Sequence, residues 1–239
     1  MEVAVVIPAY RPGLELVKIV HSLLESPIRS IIVIDDGSEP QYQTLFEQIR
    51  SLPGVVLVRH AFNLGKGAAL KSGISYVLCH FPNPLGIVTA DADGQHHPKD
   101  ILAVAQHFIG APHCLVLGSR SFEGHVPWRN KVGNRITRRI VRWIVGLALV
   151  DTQTGLRAIP RRLLPKLQRL PSSSYDFELD MLIAAKHDRT EIVEHSIETL
   201  YKQGNPSHFN PVVDSLKIYY VLLRFITTSL LTAFKGVTR

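Results

Sequence analysis

The first half of the chain alternates short apolar runs with stretches of helical periodicity. The apolar runs, rich in β-branched residues, predict strands at Val3–Pro8, Ile31–Ile34, Val55–Val58, Gly86–Ala90 and Leu115–Leu117. The stretches between them predict helices at Leu14–Leu24, Gln43–Ser51, Gly67–Leu78 and Pro98–Ile109. Because the strands are nearly all apolar and alternate with helices, we expect an α/β fold with a doubly wound, mostly parallel sheet covered on both faces.

The second half of the chain is less regular. It predicts a basic helix at about Val132–Leu147, a short strand at Leu156–Ile159, helices near Arg161–Leu170 and Asp176–Lys186, and a strand at Ile192–Tyr201. No internal repeat and no long Ser/Gly/Pro linker interrupts the pattern. Residues 1–212 are therefore interpreted as one domain, and residues 213–239 as a helical tail.

The tail is apolar on one side and basic on the other. Ile218–Phe234 spans 17 residues and includes Arg224, which is short for a transmembrane helix of ~20 apolar residues. Lys217, Arg224 and Lys235 fall on one stripe of the helical wheel, so the tail is predicted to be an amphipathic helix. Contact with a membrane interface is the leading interpretation. Packing against the domain or a partner, and a true membrane span, are the alternatives.

Composition narrows the class of protein. The 239 residues are 46% hydrophobic and 20% charged, which are ordinary values for a globular chain. The two cysteines, Cys79 and Cys114, form no C-x-x-C pair, which excludes a zinc ribbon and a disulfide scaffold. The start, MEVAVVIPAY, has an acidic second residue and no basic flank, so no signal peptide is expected and a cytoplasmic location is predicted.

The positive charge is concentrated in one segment. The whole chain carries +7, whereas the segment from Arg129 to Arg169 contains eleven basic residues against the single acid Asp151 and alone carries +10. Such a cluster suits nucleic acid, anionic lipid or a phosphorylated substrate. A solvated helix face is the alternative that involves no ligand.

Polar residues follow the predicted strands. They include Tyr10, Asp35, Asp36, Asn63, Asp91, Asp93 and Arg120, and Pro8 ends the first strand beside them. Ligands of parallel α/β sheets bind beyond the carboxyl ends of the strands, so these residues predict one shared site. The chain has no G-x-G-x-x-G and no G-x-x-x-x-G-K-[ST] motif, which argues against a dehydrogenase and a P-loop NTPase.

The spacing Asp91-x-Asp93, followed by Gln95, offers oxygen ligands within one turn. Mg²⁺ and Mn²⁺ prefer such hard ligands and accept substrate phosphates as further ligands. A metal here would neutralise a diphosphate leaving group. Two solvated loop carboxylates are the alternative, and His96 and His97 are interpreted as loop residues.

Five segments taken in order resemble the GT-A domain of family 2 glycosyltransferases: VVIPAYRPG, IIVIDDGS, HAFNLGKGAALKSGI, TADADGQHHP and GSR. Within that family the chain is most similar to polyprenyl-phosphate (dolichol-phosphate) mannose or glucose synthases. The resemblance covers roughly Val3–Ile159, and Asp151–Arg157 matches the family segment D-x-x-[ST]-G-[FL]-R. It implies a Rossmann-like domain that binds a nucleotide sugar, an inverting reaction and a Mg²⁺ or Mn²⁺ cofactor.

The resemblance also implies residues for the donor. Those expected to line the nucleotide sugar are Pro8, Tyr10, Asp36, Asn63, Lys66 and Asp91, with Asp35 as a less favoured alternative to Asp36. The glycines on either side of Lys66 would let the backbone approach the nucleotide closely, although the same motif also suits a turn that opens a helix. Asp91, Asp93 and Gln95 would hold the metal, with Asp91 and Asp93 in catalytic roles.

The acceptor residues that the resemblance implies are Arg120 and Arg129, because an arginine fork donates two charge-assisted hydrogen bonds to a phosphate. Gly133 stands where the lipid-phosphate synthases carry a serine. Family members with hydroxyl acceptors place a catalytic carboxylate near the pair Glu178 and Asp180, of which Asp180 is the better match. An ordinary helix carboxylate is the alternative.

The sequence thus predicts a metal-assisted glycosyltransferase of cell-envelope biosynthesis, peripheral on the inner face of the cell membrane. The predicted partners are a UDP- or GDP-linked sugar, polyprenyl phosphate or another lipid-linked acceptor, and an anionic membrane surface. The alternatives are a hydroxyl acceptor on a glycolipid or polysaccharide, a sugar nucleotidyltransferase, and a non-catalytic membrane-bound module. Strand-end carboxylates would repel a polyanion, so nucleic acid is not expected as a partner.

Overall fold

A seven-stranded sheet organises the computed structural model, which describes residues 3–120, 142–143 and 146–198 and the single positions 221, 223 and 227. The strands are β1 (Val3–Ala9), β2 (Ile31–Asp35), β3 (Val55–Arg59), β4 (Gly86–Thr89), β5 (Leu115–Arg120), β6 (Arg157–Pro160) and β7 (Ile192–Ile197). The helices are α1 (Leu14–Leu24), α2 (Gln43–Arg50), α3 (Lys66–His80), α4 (Pro98–Gly110), α5 (Leu164–Gln168) and α6 (Asp176–His187), with 3₁₀ turns at Pro40–Tyr42 and Arg161–Leu163.

The strand order is β3-β2-β1-β4-β6-β5-β7. The strands run parallel except β6, which lies antiparallel between β4 and β5. Its register pairs Ile87 with Ile159 on one side and Leu117 with Arg157 on the other. The predicted α/β class with a mostly parallel sheet is therefore confirmed.

Two apolar cores cover the two faces of the sheet, because successive strand residues point to opposite sides. In β1, Val5 and Ile7 face one core with helices α1, α2 and α4, whereas Ala4 and Val6 face the other core with α3, α5 and α6. All four side chains are at most 1% exposed. Because helices cover both faces of the sheet, the edge formed by the carboxyl ends of the strands stays uncovered. The polar residues that follow the strands lie at this edge.

The elements predicted for the first half are confirmed to within a few residues. In the second half, the predicted helix at Arg161–Leu170 is a 3₁₀ turn followed by the short helix α5, and the strand predicted at Ile192–Tyr201 ends at Ile197. The hydrophobic pattern predicts the strand at Leu156–Ile159 but does not indicate its neighbours. In the structure this strand, β6, lies between β4 and β5. Its position brings the loop before β6 to the end of β4.

Two predictions lie mainly outside the described residues. Of the helix predicted at Val132–Leu147, residues 132–141, 144 and 145 are not described, and Gly146, with a φ of 72°, and Leu147 are not helical. Of the tail, only residues 221, 223 and 227 are described, so the division at residue 212 stays a prediction. In the described part of the chain, no helix is both long enough and apolar enough to cross a membrane.

Candidate active site

A buried lysine between two carboxylates forms the centre of the site. Lys66 is the first residue of α3, Asp91 follows the end of β4, and Glu178 lies in the first turn of α6. Lys66 Nζ lies 2.6 Å from Asp91 Oδ1 and 2.7 Å from Glu178 Oε1. The lysine side chain is only 17% exposed, so its charge is shielded from solvent and balanced within the protein.

The electrostatics keep these groups ionised. Burial by itself would lower the pKa of Lys66, but the adjacent carboxylates of Asp91 and Glu178 outweigh it and raise that pKa. Burial opposes ionisation of Asp91 in the same way, and the charge of Lys66 together with the hydrogen bond from His96 more than offsets it, so the pKa of Asp91 lies below its ordinary value. At neutral pH the centre therefore holds an ammonium and an ionised carboxylate in contact.

The turn after Asp91 carries the other predicted metal ligands. Gly94 adopts a φ of 76°, a left-handed conformation that glycine accepts without strain, and Asp93 Oδ1 accepts a hydrogen bond of 2.9 Å from the Gln95 amide. Burial, together with the nearby Asp91, raises the pKa of Asp93. His96 does more than occupy a loop: it is 3% exposed, and its Nε2 lies 3.3 Å from Asp91 Oδ2.

The loop before β6 closes over Asp91 from the other side. Gly155 lies so near the Asp91 carboxylate that a Cβ at this position would stand 2.5 Å from Oδ1 and closer still to Oδ2. Thr89 Oγ1 donates a 2.8 Å hydrogen bond to the Gly155 carbonyl and holds the loop there. Any side chain at position 155 would fill the space beside the two carboxylate oxygens of Asp91. We call this space, which the glycine keeps free of a side chain, the cradle.

The donor set and this cradle fit a divalent cation. Asp91 and Asp93 supply hard oxygen ligands, and their half-buried carboxylates lie close enough that, in addition to burial, the charge of Asp91 raises the pKa of Asp93, a repulsion that a cation would relieve. The assignment of Asp91, Asp93 and Gln95 as metal ligands stays a prediction.

Arg157 connects the loop before β6 to the first turn of α6 by hydrogen bonds. Its side chain, 1% exposed, donates from Nε to the Thr154 carbonyl (2.9 Å), from one terminal nitrogen to the Glu178 carbonyl (2.6 Å) and from the other to the Thr152 carbonyl (3.2 Å). One guanidinium thereby fixes both the loop that carries Gly155 and the helix turn that carries Glu178. In the sequence, Arg157 is the last residue of the segment that resembles the family pattern D-x-x-[ST]-G-[FL]-R, and the resemblance predicts no role for it.

Asp36 shapes the loop that leads to Lys66. Its carboxylate accepts hydrogen bonds from the amides of Leu64 (3.0 Å) and Gly65 (2.9 Å) and lies 2.7 Å from His60 Nδ1. The other ring nitrogen of His60 lies 2.8 Å from Ser72 Oγ. With the proton on Nδ1, His60 donates to Asp36 and accepts from Ser72. Asp36 is 3% exposed, so the structure gives it a role in positioning this loop.

The glycines of this motif serve contacts within the protein. Gly65, with a φ of 99°, and Gly67 lie against the backbone of Ser173, where a Cβ on either would overlap protein atoms. The Ala68 amide donates to the Ser173 carbonyl at 2.9 Å. The motif therefore opens α3 and lets it pack against the segment before α6, while Asn63 stands exposed at the loop tip.

The remaining predicted donor residues lie at the ends of β1 and β2. Pro8 is buried, and Tyr10 is half-buried with the Arg11 guanidinium 4.9 Å from its ring centre. Asp35 accepts a hydrogen bond from the Ser38 amide (2.8 Å) and pairs with Arg59 Nε (3.1 Å). The structure thus places these residues at the carboxyl edge of the sheet, as predicted.

The predicted acceptor residues are only partly described. Arg120, at the end of β5, grips the fully buried Asp151 through two contacts, Nε to Oδ2 at 2.5 Å and a terminal nitrogen to Oδ1 at 3.1 Å. A phosphate at this place would compete with Asp151 for the arginine fork. Arg129 and Gly133 lie outside the described residues.

Of the two candidate carboxylates on α6, the one paired with Lys66 is Glu178. Asp180, two residues on, is 1% exposed and accepts a 2.8 Å hydrogen bond from Ser172 Oγ. Residues two apart on a helix do not share a face. The contact with Lys66 therefore belongs to Glu178, which sequence reasoning ranked below Asp180.

Known proteins resemble this chain over most of its length. It is 30% identical over 240 residues to the UDP-N-acetylglucosamine–dolichyl-phosphate N-acetylglucosaminyltransferase of Methanococcus voltae, covering 91% of this chain and 93% of the relative. It is also 30% identical over 199 residues to the polyprenol monophosphomannose synthase of Mycolicibacterium smegmatis, covering 80% and 74%.

A solved structure shows the same fold. Glucosyl-3-phosphoglycerate synthase from Mycobacterium tuberculosis superposes with a TM-score of 0.69 at 19% identity, covering 93% of this chain and 79% of that one. At this identity the likeness concerns the fold, and it agrees with the predicted GT-A architecture. The family model for glycosyl transferase family 2 matches residues 4–167, which include all but the first residue of β1, the strands β2 to β6, and Lys66, Asp91 and Gly155. This chain belongs to glycosyl transferase family 2.

Proposed function

We propose that this glycosyltransferase moves a sugar from a UDP- or GDP-linked donor to polyprenyl phosphate, with inversion at the anomeric carbon. The observation that carries the proposal is the ion pair between Glu178 and Lys66. A hydroxyl acceptor needs a general base within hydrogen-bond reach, and this carboxylate is already committed to a buried ammonium. A lipid phosphate is anionic at neutral pH and attacks without a base. The names of the two relatives, which specify dolichyl phosphate and polyprenol, support the same acceptor class.

In this proposal the donor lies across the carboxyl edge of the sheet. Pro8, Tyr10 and Asn63 would line the nucleotide, and Asp36 would act mainly by holding the loop that positions Lys66. Asp91 and Asp93, with Gln95 beside them, would hold Mg²⁺ or Mn²⁺. When bound, the cation supplies Lewis-acid stabilisation of the departing nucleoside diphosphate. The solved neighbour in complex with Mn²⁺ and UDP supports this assignment.

The acceptor phosphate would lie near Arg120 and Arg129 in the same proposal. Arg120 pairs with Asp151 in the described structure, so an incoming phosphate would share or replace that carboxylate. The polyprenyl chain resides in a bilayer, so we propose peripheral attachment to an anionic membrane surface on its cytoplasmic side. Sedimentation with anionic vesicles, comparing the full chain with a chain lacking residues 213–239, tests whether the tail makes this contact.

The experiment that tests the function is a donor and acceptor matrix. UDP-glucose, UDP-N-acetylglucosamine and GDP-mannose are each incubated with the full chain and short-chain polyprenyl phosphate, with Mn²⁺ or with a chelator. Mass spectrometry should detect one glycosylated lipid phosphate that requires the metal. Transfer to a polyprenol or glycolipid hydroxyl, without transfer to the phosphate, would overturn the proposed acceptor and favour the hydroxyl alternative.

Replacing Gly155 by alanine is expected to impair transfer while leaving the fold intact. The new methyl group would overlap the Asp91 carboxylate and force it away from Lys66. A displacement of this kind at the reacting centre can cost about 100-fold in rate. Steady-state kinetics and a thermal melt measure the two effects. Gly110→Ala is the matched control, because a Cβ there meets nothing within 4 Å; equal rates in the two variants would contradict the cradle.

A comparison of Glu178→Gln with Asp180→Asn tests which helix carboxylate serves the site. We expect Glu178→Gln to lower kcat roughly tenfold, about 1.4 kcal/mol, because Lys66 loses one of its two countercharges. Asp180→Asn should keep its hydrogen bond from Ser172 and remain within about threefold of the parent rate. General-base roles are worth about 10²–10⁴-fold. A loss of that size in Asp180→Asn alone would restore Asp180 as the base of a hydroxyl acceptor.

A further inference from the structure

Three potential metal ligands of different types meet at the edge of the sheet opposite to the active site. Cys114 immediately precedes β5, Glu191 immediately precedes β7, and His113 is the neighbour of Cys114. Strands β5 and β7 are parallel, so their amino ends lie side by side. The active-site residues follow the carboxyl ends of the strands. This cluster is therefore separate from the cradle of Asp91.

The sheet holds the cluster in place. Leu115 pairs with Ile192 in the β5–β7 ladder, and the Leu115 amide donates a 2.8 Å hydrogen bond to the carbonyl of Glu191. The backbones of Cys114 and Glu191 are thus fixed next to each other, and their side chains are not left to meet by chance. The preorganised backbone reduces the entropy lost when an ion binds.

The distances suit a small tetrahedral ion. Cys114 Sγ lies 3.5 Å from Glu191 Oε2, His113 Nε2 lies 3.9 Å from the same oxygen, and the three ligand atoms all lie within 4.8 Å of one another. Metal–ligand bonds of about 2.0–2.3 Å place the ligands of tetrahedral zinc at separations of this order.

The ligand types select the metal. A thiolate with an imidazole favours Zn²⁺ over Mg²⁺ or Ca²⁺, which prefer oxygen ligands, and three protein ligands leave the fourth position to water. Burial, together with the Glu191 carboxylate, raises the pKa of the Cys114 thiol. Without a metal the thiol therefore keeps its proton, and an incoming ion would displace that proton to solvent. The side chains of His113 and Glu191 are 68% and 66% exposed, so an ion reaches them directly.

We propose that His113, Cys114 and Glu191 form a zinc site that fastens β7, the last strand in the sheet order, to β5. The site is independent of sugar transfer and uses none of the residues assigned to that reaction. Its bound ion would stabilise the folded chain, since a ligand that binds only the native state raises the melting temperature.

The test is a cobalt titration of the full chain after chelator treatment. Co²⁺ bound by a thiolate gives a charge-transfer band in the near ultraviolet that oxygen ligands do not produce. We expect one equivalent to generate the band, Zn²⁺ to abolish it, and Zn²⁺ to raise the melting temperature. Cys114→Ser should remove the band, whereas Cys79→Ser, which alters the exposed second cysteine, should keep it. Asp93→Asn should also keep it, which separates this site from the proposed catalytic metal.

Two further variants keep the proposal testable if Cys114→Ser fails to fold. Glu191→Gln and His113→Ala change exposed side chains, so the fold should tolerate them. Each should weaken Zn²⁺ binding at least about tenfold, because even residues outside the ligand set are worth about 10–100-fold in metal affinity. The proposal is wrong if the folded parent protein gives no thiolate band, if the band depends on Cys79, or if neither variant weakens the binding of Zn²⁺.

Discussion

Replacing Asp91 by asparagine is expected to lower kcat for sugar transfer at least about a thousandfold, or ~4 kcal/mol. Asp91 contacts Lys66 and His96, lies against Gly155, and is a proposed metal ligand. Asparagine keeps the shape of the side chain but removes its charge, so the cation would lose an anionic ligand and Lys66 a countercharge. Several kcal/mol of transition-state stabilisation depend on such a metal.

The matched control for this prediction is Asp100→Asn. Asp100 is an aspartate of the same region, buried in the first turn of α4, but it has no part in the Lys66 cluster. Its variant should transfer sugar at nearly the parent rate. Calorimetric titration with Mn²⁺ and the donor should show that Asp91→Asn loses metal-dependent donor binding. If Asp91→Asn retained more than about a tenth of the parent rate, ~1.4 kcal/mol, the proposed role of Asp91 would be refuted.

Much of the fold could be predicted because apolar runs and stretches of helical periodicity alternate in a regular pattern in the first half of the chain. Runs such as Val3–Pro8 and Ile31–Ile34 are buried on both faces, so their apolar character is unbroken and easily recognised. β6 is different. Its four residues lie between β4 and β5 in the antiparallel direction, and that choice depends on hydrogen bonds to strands far away in the chain. Local pattern carries no information about such a partner.

In the candidate site too, some features follow from local sequence and others depend on tertiary structure. The place of Asp91 at the end of a strand could be predicted from local sequence, whereas Lys66 was predicted only through the family resemblance. The contacts of Glu178 and Gly155 depend on tertiary structure: Glu178 reaches Lys66 from α6, and Gly155 reaches Asp91 through the placement of β6. The preference for Asp180 over Glu178 came from the resemblance and stays a prediction, since the i, i+2 spacing says only that at most one of the two faces the site.

Asp36 has contacts within the protein that the sequence did not indicate, and its role toward the nucleotide stays a prediction. The end of β2 does lie at the edge where a nucleotide is expected. In the structure, however, the carboxylate accepts hydrogen bonds from the amides of Leu64 and Gly65 and lies beside His60. These partners are 24 to 29 residues distant in sequence. The acid thereby sets the loop conformation from which α3 presents Lys66, an indirect contribution that residue type alone does not reveal.

Replacing Arg157 by methionine is expected to lower the free energy of unfolding by about 2–4 kcal/mol. The variant would lose the hydrogen bonds that Arg157 donates to the buried carbonyls of Thr152 and Thr154, and each such loss at a buried group costs about 1–3 kcal/mol. Part of that loss is offset, because a buried guanidinium is itself costly: burial lowers the pKa of Arg157. Urea denaturation should reveal the difference. Arg50→Met, at an exposed arginine of α2, should stay within about 0.5 kcal/mol of the parent protein.

Arg157→Met should also slow transfer about tenfold or more under conditions where the variant is folded, a loss of ~1.4 kcal/mol. The loop that carries Gly155 and the turn that carries Glu178 share this guanidinium as their anchor, so both sides of the Asp91–Lys66 pair would loosen. Arg157→Lys keeps the charge but lacks the fork that reaches several carbonyls at once, and should recover only part of either property. If a variant loses stability but transfers sugar at the parent rate, Arg157 serves only the stability of the fold. If stability and transfer rate fall together in Arg157→Met and Arg157→Lys, Arg157 is the residue that positions the site.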